Sequence, residues 1–232
     1  MPINISIAAK AQVISEQFAV QNTDLYQPTF NAQPSDLLPV ITSENPEGLS
    51  FFYWGINPSF TKKKGVASKL LYAPIEDIPS KPSLKKSLQL QRCIILADSF
   101  YDWKEIAKKE QVPYRFHLKD NKPFGIAGLW HTFETENDET IHTFMMVTTP
   151  ASHEVMKVSE RMPAILNEDF TVEWLNDSLN AESILSLIRP FDEEHIFHHP
   201  VHPKLADPNF NSDELWKKVP PANQFGNLTL FN

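Results

Sequence analysis

The 232-residue sequence has a single cysteine, only six glycines, and no apolar stretch long enough to cross a bilayer. One cysteine, Cys93, excludes an internal disulfide. Six glycines against 19 prolines describe a chain rich in rigid turns and edge breaks and poor in phosphate-cradling loops. Neither GxGxxG nor GxxxxGK occurs, so dinucleotide-binding and P-loop architectures have no support. No positively charged start leads into an apolar run, and the expectation is a cytoplasmic protein with no membrane partner. Positive charge is also in short supply. The net charge of −8 argues against generic nucleic-acid affinity, because phosphate binding needs clustered Lys and Arg. A small basic cleft stays compatible with it.

What is present is an ordinary globular composition, 41% hydrophobic and 22% charged, in a chain long enough to bury a full core. The most informative stretch is Gln91 to Lys104, QRCIILADSFYDWK. Cys93-Ile94-Ile95-Leu96-Ala97 is an unbroken run of strand formers, the pattern of a central strand buried on both faces. It ends in Asp98-Ser99-Phe100-Tyr101-Asp102-Trp103-Lys104, where two carboxylates alternate with three aromatics. A carboxylate at the end of a rigid strand, walled by aromatic rings, is partly desolvated and suited to proton transfer. The competing reading has Asp98 capping a turn and Asp102 in solvent.

Along the chain, Met1 to Ala9 alternates Ile3, Ile5 and Ile7 with polar residues, predicting a half-buried strand. Removal of the initiator methionine before a small residue would leave the secondary amine of Pro2 at the start. Lys10 to Val20 predicts a helix with Val13, Ile14 and Phe18 on one face, and Gln21 to Pro39 a surface loop. Strands are expected at Leu38 to Thr42, Leu49 to Trp54, Tyr114 to Leu118 paired with Phe124 to Trp130, Thr143 to Thr149 and Ala164 to Leu166. Trp54 to Phe60 is a Gly/Pro turn followed by Lys62, Lys63 and Lys64, which fit a solvated loop or a phosphate contact. Leu70 to Pro82 and Ile106 to Gln111 read as irregular, and Thr132 to Glu139 as an acidic turn. Helices are expected at Ser83 to Gln89, Ser152 to Val158, Phe170 to Leu175, Ala181 to Ile188 and Ser212 to Lys218. Strands and helices mix without βαβ alternation, so the fold class is α+β in a single domain, 1–232. In the segment HIFHHPVHP, His195, His198, His199 and His202 fall close together. Pro200 and Pro203 break it and no cysteine joins it, so it reads as a surface or edge segment and no metal is expected.

Several of these segments, in order, resemble the SOS-response-associated peptidase family, the SRAP domain, which protects abasic sites in single-stranded DNA by crosslinking to them. WGINPSF at Trp54 looks like the family's Trp-Gly-Leu-Ile-Pro-Ser-Trp, and RCIILADSFYDWK at Arg92 like its Arg-Cys-Leu-Ile-Pro-Ala-Asp-Gly-Phe-Tyr-Glu-Trp. GIAGLW at Gly125, Thr148-Thr149 and RMPAIL at Arg161 follow in the family's order. The resemblance is strongest over 1–175 and implies a mixed, barrel-like sheet surrounded by short helices.

It also implies which residues to follow. The family's first residue after methionine is a cysteine whose thiol and amine close onto the abasic aldehyde as a thiazolidine; here that position is Pro2, and the arginine two residues on is Asn4. The family's Asn-Ala-Arg-Ser-Glu-Thr aligns with Tyr72-Ala73-Pro74-Ile75-Glu76-Asp77, so Tyr72 stands for the asparagine and Pro74 for the arginine. Its active-site glutamate aligns with Asp102, its histidine with Ser159, and its arginine with Arg161. The catalytic positions are therefore Pro2, Tyr72, Asp102 and Ser159, of which Asp102 alone keeps similar chemistry. Trp54, Phe60, Trp103 and Arg161 are the candidate DNA contacts, with Tyr101 beside them; filling the core is the competing role for the aromatics. No cofactor is implied. Two functional classes follow: a catalytically degenerate homologue, with weak single-strand binding or a protein-interaction role, or an enzyme whose Pro2 amine forms a Schiff base with abasic sites.

Overall fold

The apolar run Cys93–Ala97, preceded by a buried arginine, forms the strand Arg92–Ala97, buried at every residue, and the rest of the fold is laid against its two faces. The structure is a computed structural model and describes residues 4–55, 70–135, 138–189, 191 and 193–229. In chain order the elements are β1 (Asn4–Ile7), α1 (Ala11–Phe18), β2 (Thr29–Ala32), β3 (Leu37–Thr42), β4 (Asn45–Trp54), β5 (Tyr72–Pro74), α2 (Pro82–Leu90) and β6 (Arg92–Ala97). There follow β7 (Ser99–Ala107), β8 (Glu110–Leu118), β9 (Phe124–Glu134), β10 (Thr140–Pro150), α3 (His153–Met156), β11 (Arg161–Pro163), β12 (Ile165–Leu166), α4 (Glu168–Trp174), α5 (Ala181–Ser186) and β13 (Ile196–Pro200).

Five strands close on themselves. β4, β3, β6, β9 and β10 pair antiparallel in that order, and β10 returns to β4 in parallel register, Thr143 opposite Tyr53 and Phe144 opposite Trp54. Short strands β5, β11 and β12 extend this barrel-like ring. A second sheet runs β13-β8-β7-β1-β2, and the chain passes from the ring into it at Asp98, between β6 and β7. Alternation along β6 divides the core. Cys93, Ile95 and Ala97 join a cluster with Phe100 and Phe116 of the second sheet and with Trp54 and Phe144. Ile94 and Leu96 join another that includes Ile14, Leu88, Trp174 and Ile184 of the helices. Burying side chains of this size contributes about 1.5–3 kcal/mol each. At Gly128 an added Cβ would meet Cys93 Sγ at 2.7 Å and Ile95 at 3.0 Å, so the glycine of GIAGLW is what lets β9 approach β6.

The α+β expectation holds, as do the central strand, the strands at β3, β4 and β10, and a helix at α2. Other expectations are corrected. All of β1 is buried, not alternate residues, because Asn4 donates to Asn31 Oδ1 at 2.7 Å and Ser6 Oγ donates to Asp98 Oδ1, satisfying both polar side chains internally. Val13 points to solvent at 40% exposure, while Ile14 is the residue of α1 that is buried. The loop at Gln21 to Pro39 contains β2, and the irregular stretch after Leu70 contains β5; both are short strands whose hydrogen-bond partners lie far away in sequence. Strands β8 and β9 do not pair with each other. The 3-10 turn Lys119–Asn121 sends them into different sheets, β8 against β7 and β13, β9 against β6, β10 and β12.

Candidate functional site

Strand alternation on β7 sends Phe100 and Asp102 to one face and Tyr101 and Trp103 to the other. Phe100 stacks on Phe116 at 4.7 Å between ring centroids, facing the ring of strands. Asp102 lies on this inner face, only 6% exposed, with Oδ1 accepting from the Trp103 backbone N–H at 2.8 Å. Tyr72 on β5 is close enough to feel its charge. Burial first, and then the negative charge of Asp102, push the Tyr72 phenol above its ordinary range. Two of the four positions singled out in the sequence, Asp102 and Tyr72, therefore share one low-dielectric site although they come from different sheets.

Ser159 follows α3 and is buried; its Oγ donates to the Arg161 carbonyl at 3.0 Å, a local turn bond. Arg161 opens β11, and its guanidinium is heavily engaged: Nε donates to Thr148 Oγ1 at 3.2 Å and Nη2 to the Thr148 carbonyl at 2.9 Å. Its two terminal nitrogens also fork onto Glu76, at 3.3 and 3.0 Å. That hydrogen bond is the main reason the Glu76 carboxyl sits below the usual range. Tyr72 lies opposite Met146 and Pro163 opposite Thr148, so Tyr72 and Arg161 flank the same stretch of β10. Glu76 is not among the candidate positions of the sequence, although its carboxylate stands in the Tyr72–Asp77 stretch where the resemblance places a glutamate.

The aromatic candidates divide. Trp54 is fully buried, stacked near Phe144, edge-on to Tyr72 at 6.0 Å, with Nε1 donating to the Leu71 carbonyl at 3.2 Å. It fills the core and has no open face for a base. Tyr101 is likewise buried, its hydroxyl donating to the Phe30 carbonyl at 3.1 Å. Trp103 is half-buried on the face opposite Asp102, beside Asn4, Gln33 and Gln111. Pro2, Phe60 and Lys62 to Lys64 lie outside the described residues.

Asp98 is structural. It accepts from Ser6 Oγ and from the backbone N–H groups of Ala8, at 2.5 Å, and Ala9, at 3.1 Å, and so anchors the end of β1. Burial raises its pKa, while those bonds and the charge of Arg115 oppose the rise. Cys93 is enclosed within β6, and burial drives its thiol upward, which leaves it inert as a nucleophile. His198 and His199 lie in edge strand β13, with His195 and His202 just outside it. Among the described residues no group of three or more His, Cys, Asp or Glu is arranged to hold a metal ion. None of the helices among the described residues is long and apolar enough to cross a membrane.

The chain is 33% identical over 192 residues to abasic site processing protein YoqW of Bacillus subtilis, covering 82% of this chain and 86% of that one. It is 28% identical over 232 residues to abasic site processing protein HMCES of Xenopus tropicalis, covering 85% of this chain and 68% of that one. A crystal structure of a protein from Bacteroides thetaiotaomicron superimposes with a TM-score of 0.81 at 24% identity, covering 94% of this chain and 99% of that one, and so shares the fold. The family model for SOS response associated peptidase (SRAP) matches residues 1–208, and to that family this chain belongs.

Proposed function

We propose that this protein acts at abasic sites in single-stranded DNA without forming the thiol adduct of its family. The observation that carries this is the state of its thiol. Cys93 is the only cysteine of the sequence, and it is sealed inside the central strand with its pKa raised. At the family's cysteine position stands Pro2, and at its histidine position Ser159, whose hydroxyl does not shuttle protons near neutral pH. A nucleophile and its proton relay act as a unit, so their joint replacement abolishes thiazolidine formation and does not merely slow it. Asp102, held on a rigid strand beside β1, remains to face the sugar. Binding should be weak and salt-sensitive, since Arg161 is the one retained arginine of the family's set and Glu76 already pairs with it.

A second reading is favoured by the fixing of β1 next to the strand that bears Asp102, Asn4 opposite Tyr101. Here the Pro2 amine condenses with the ring-opened aldehyde, releasing water to give an iminium, with Asp102 assisting proton transfer. One experiment separates the two. Protein whose N-terminus has been verified by mass spectrometry is mixed with a single strand carrying one abasic site, with and without borohydride, beside a cysteine-bearing family member. Samples are run on native and denaturing gels. The first reading expects a native complex and no covalent band in either condition. A band only with borohydride, lost on N-terminal acetylation, assigns the Pro2 chemistry. A band without borohydride overturns both.

A further inference from the structure

Outside the site already described, the inner face of the second sheet ends in a cavity of about 550 Å³ lined by Lys104, Tyr114, Pro200, Lys218, Pro220 and Pro221, together with Val219. Its place is fixed by register. Asp102 pairs with Tyr114, and Tyr114 pairs with Pro200, so the three form one row across β7, β8 and β13 with their side chains on one face. Lys104 is two residues beyond Asp102 and shares that face. The tail closes the other side: the Val219 N–H donates to the Pro200 carbonyl at 3.1 Å, which seats Lys218 and the Pro220-Pro221 wall over β13. Lys217 is paired with Asp213, whereas Lys218 has no carboxylate partner among the described residues.

The surroundings are positive although the protein as a whole is acidic. Burial and then the charges of Lys157 and Lys104 hold His198 low against the pull of Glu154. Two carboxylates lie near: Asp102, at the inner end of the row, and Glu154, which is held by Lys157 and His198. Two lysines and a tyrosine, all bearing donors, line this pocket.

We propose that this cavity takes a phosphodiester of single-stranded DNA, held between Lys104 and Lys218 with the Tyr114 hydroxyl donating to it, and so leads the backbone outward past Asp102. This rests on the single-strand reading above and adds its phosphate subsite. Its two lysines would offset, at a different place in the fold, the charge missing at the family's two arginine positions, here Asn4 and Pro74. Lys218 and the proline wall lie beyond residue 208, where the family match ends.

The test is fluorescence anisotropy of a labelled single-stranded oligonucleotide carrying one abasic analogue, with affinity followed against salt concentration. The unsubstituted protein is compared with Lys104→Gln/Lys218→Gln, with Tyr114→Phe, and with Lys85→Gln/Lys86→Gln on the exposed side of α2, which makes the same charge change. Each phosphate neutralised on a single strand contributes about 0.7 to the slope of log affinity against log salt, so the first variant, which releases one phosphodiester, should lose about 0.7. On lowering salt tenfold, the unsubstituted protein then gains about fivefold more affinity than that variant does. Tyr114→Phe should weaken binding and leave the slope in place. The α2 variant should match the unsubstituted slope, with equal melting temperatures showing that all are folded. A Lys104→Gln/Lys218→Gln slope equal to the α2 control overturns the subsite and leaves single-strand binding standing. Failure of the unsubstituted protein to bind overturns both.

Discussion

Glu76 occupies the guanidinium that the family resemblance would assign to DNA phosphate, and the pair is half exposed to solvent. An exposed ion pair is worth at most about 1 kcal/mol, so Glu76→Gln should free Arg161 and tighten single-strand binding by up to about fivefold, measured by anisotropy. A loss of affinity would mean that Arg161 does not meet the strand. Trp54 makes the opposite case. Because its ring is enclosed between Phe144 and Tyr72, Trp54→Ala should cost about 3–5 kcal/mol of unfolding free energy, read from the urea midpoint. Destabilisation of that size separates core loss from a base contact, which would change affinity and leave the midpoint alone. The sequence made Asp102 and Tyr72 visible through motif order. It could not show Trp54's role, since the same aromatic serves core and stacking alike, nor the Arg161–Glu76 fork, which depends on β5 and β11 flanking one strand.

Edge strand β13 should set the acid behaviour of the fold. The folded-state pKa of His199 is brought from 6.5 to about 4, by burial foremost. As pH falls below about 6.5 the unfolded chain takes up a proton that the folded one refuses, so stability declines until pH reaches about 4 and then levels. His117, His131 and His198 are depressed in the same direction, also by burial, and add to the decline. Asp98, raised in the folded state, acts the other way as it protonates. His199→Gln should therefore flatten the loss of stability between about pH 7 and about pH 4.5, measured by urea denaturation; an unchanged profile would move the titration elsewhere. Elements with strong apolar patterning, such as β6 and β10, were legible from sequence alone. β2, β5 and the first part of β7 were not, because Asn, Pro, Asp and Ser read as turn formers until a distant strand supplies their hydrogen bonds. Proximity in sequence likewise suggested the pairing of β8 with β9, whereas the turn between them separates two sheets.

Across the whole molecule, the tail beyond the family match is part of the fold. Trp216 donates from Nε1 to Ser6 Oγ at 3.2 Å, and the Arg115 guanidinium lies over its ring at 4.3 Å. Arg115 in turn donates to Ser99 Oγ at 2.7 Å, linking the tail to β7 and, through Ser6 and Asp98, to the end of β1. Trp216→Ala should lower unfolding free energy by about 3 kcal/mol with an unchanged urea slope, and conservative Trp216→Phe should recover part of it through the retained ring. The ring of strands has a consequence of another kind. Its closing seam joins Tyr53 to Thr143 and Trp54 to Phe144, and the second sheet joins β1 to β7. During synthesis the early strands leave the ribosome long before their partners exist, so β4 waits with an unpaired edge until β10 has been made. Such non-local closure carries its loop entropy before any contact rewards it, which places assembly among slow, high-contact-order reactions and leaves the half-made chain with an unpaired strand edge at β4 in the meantime.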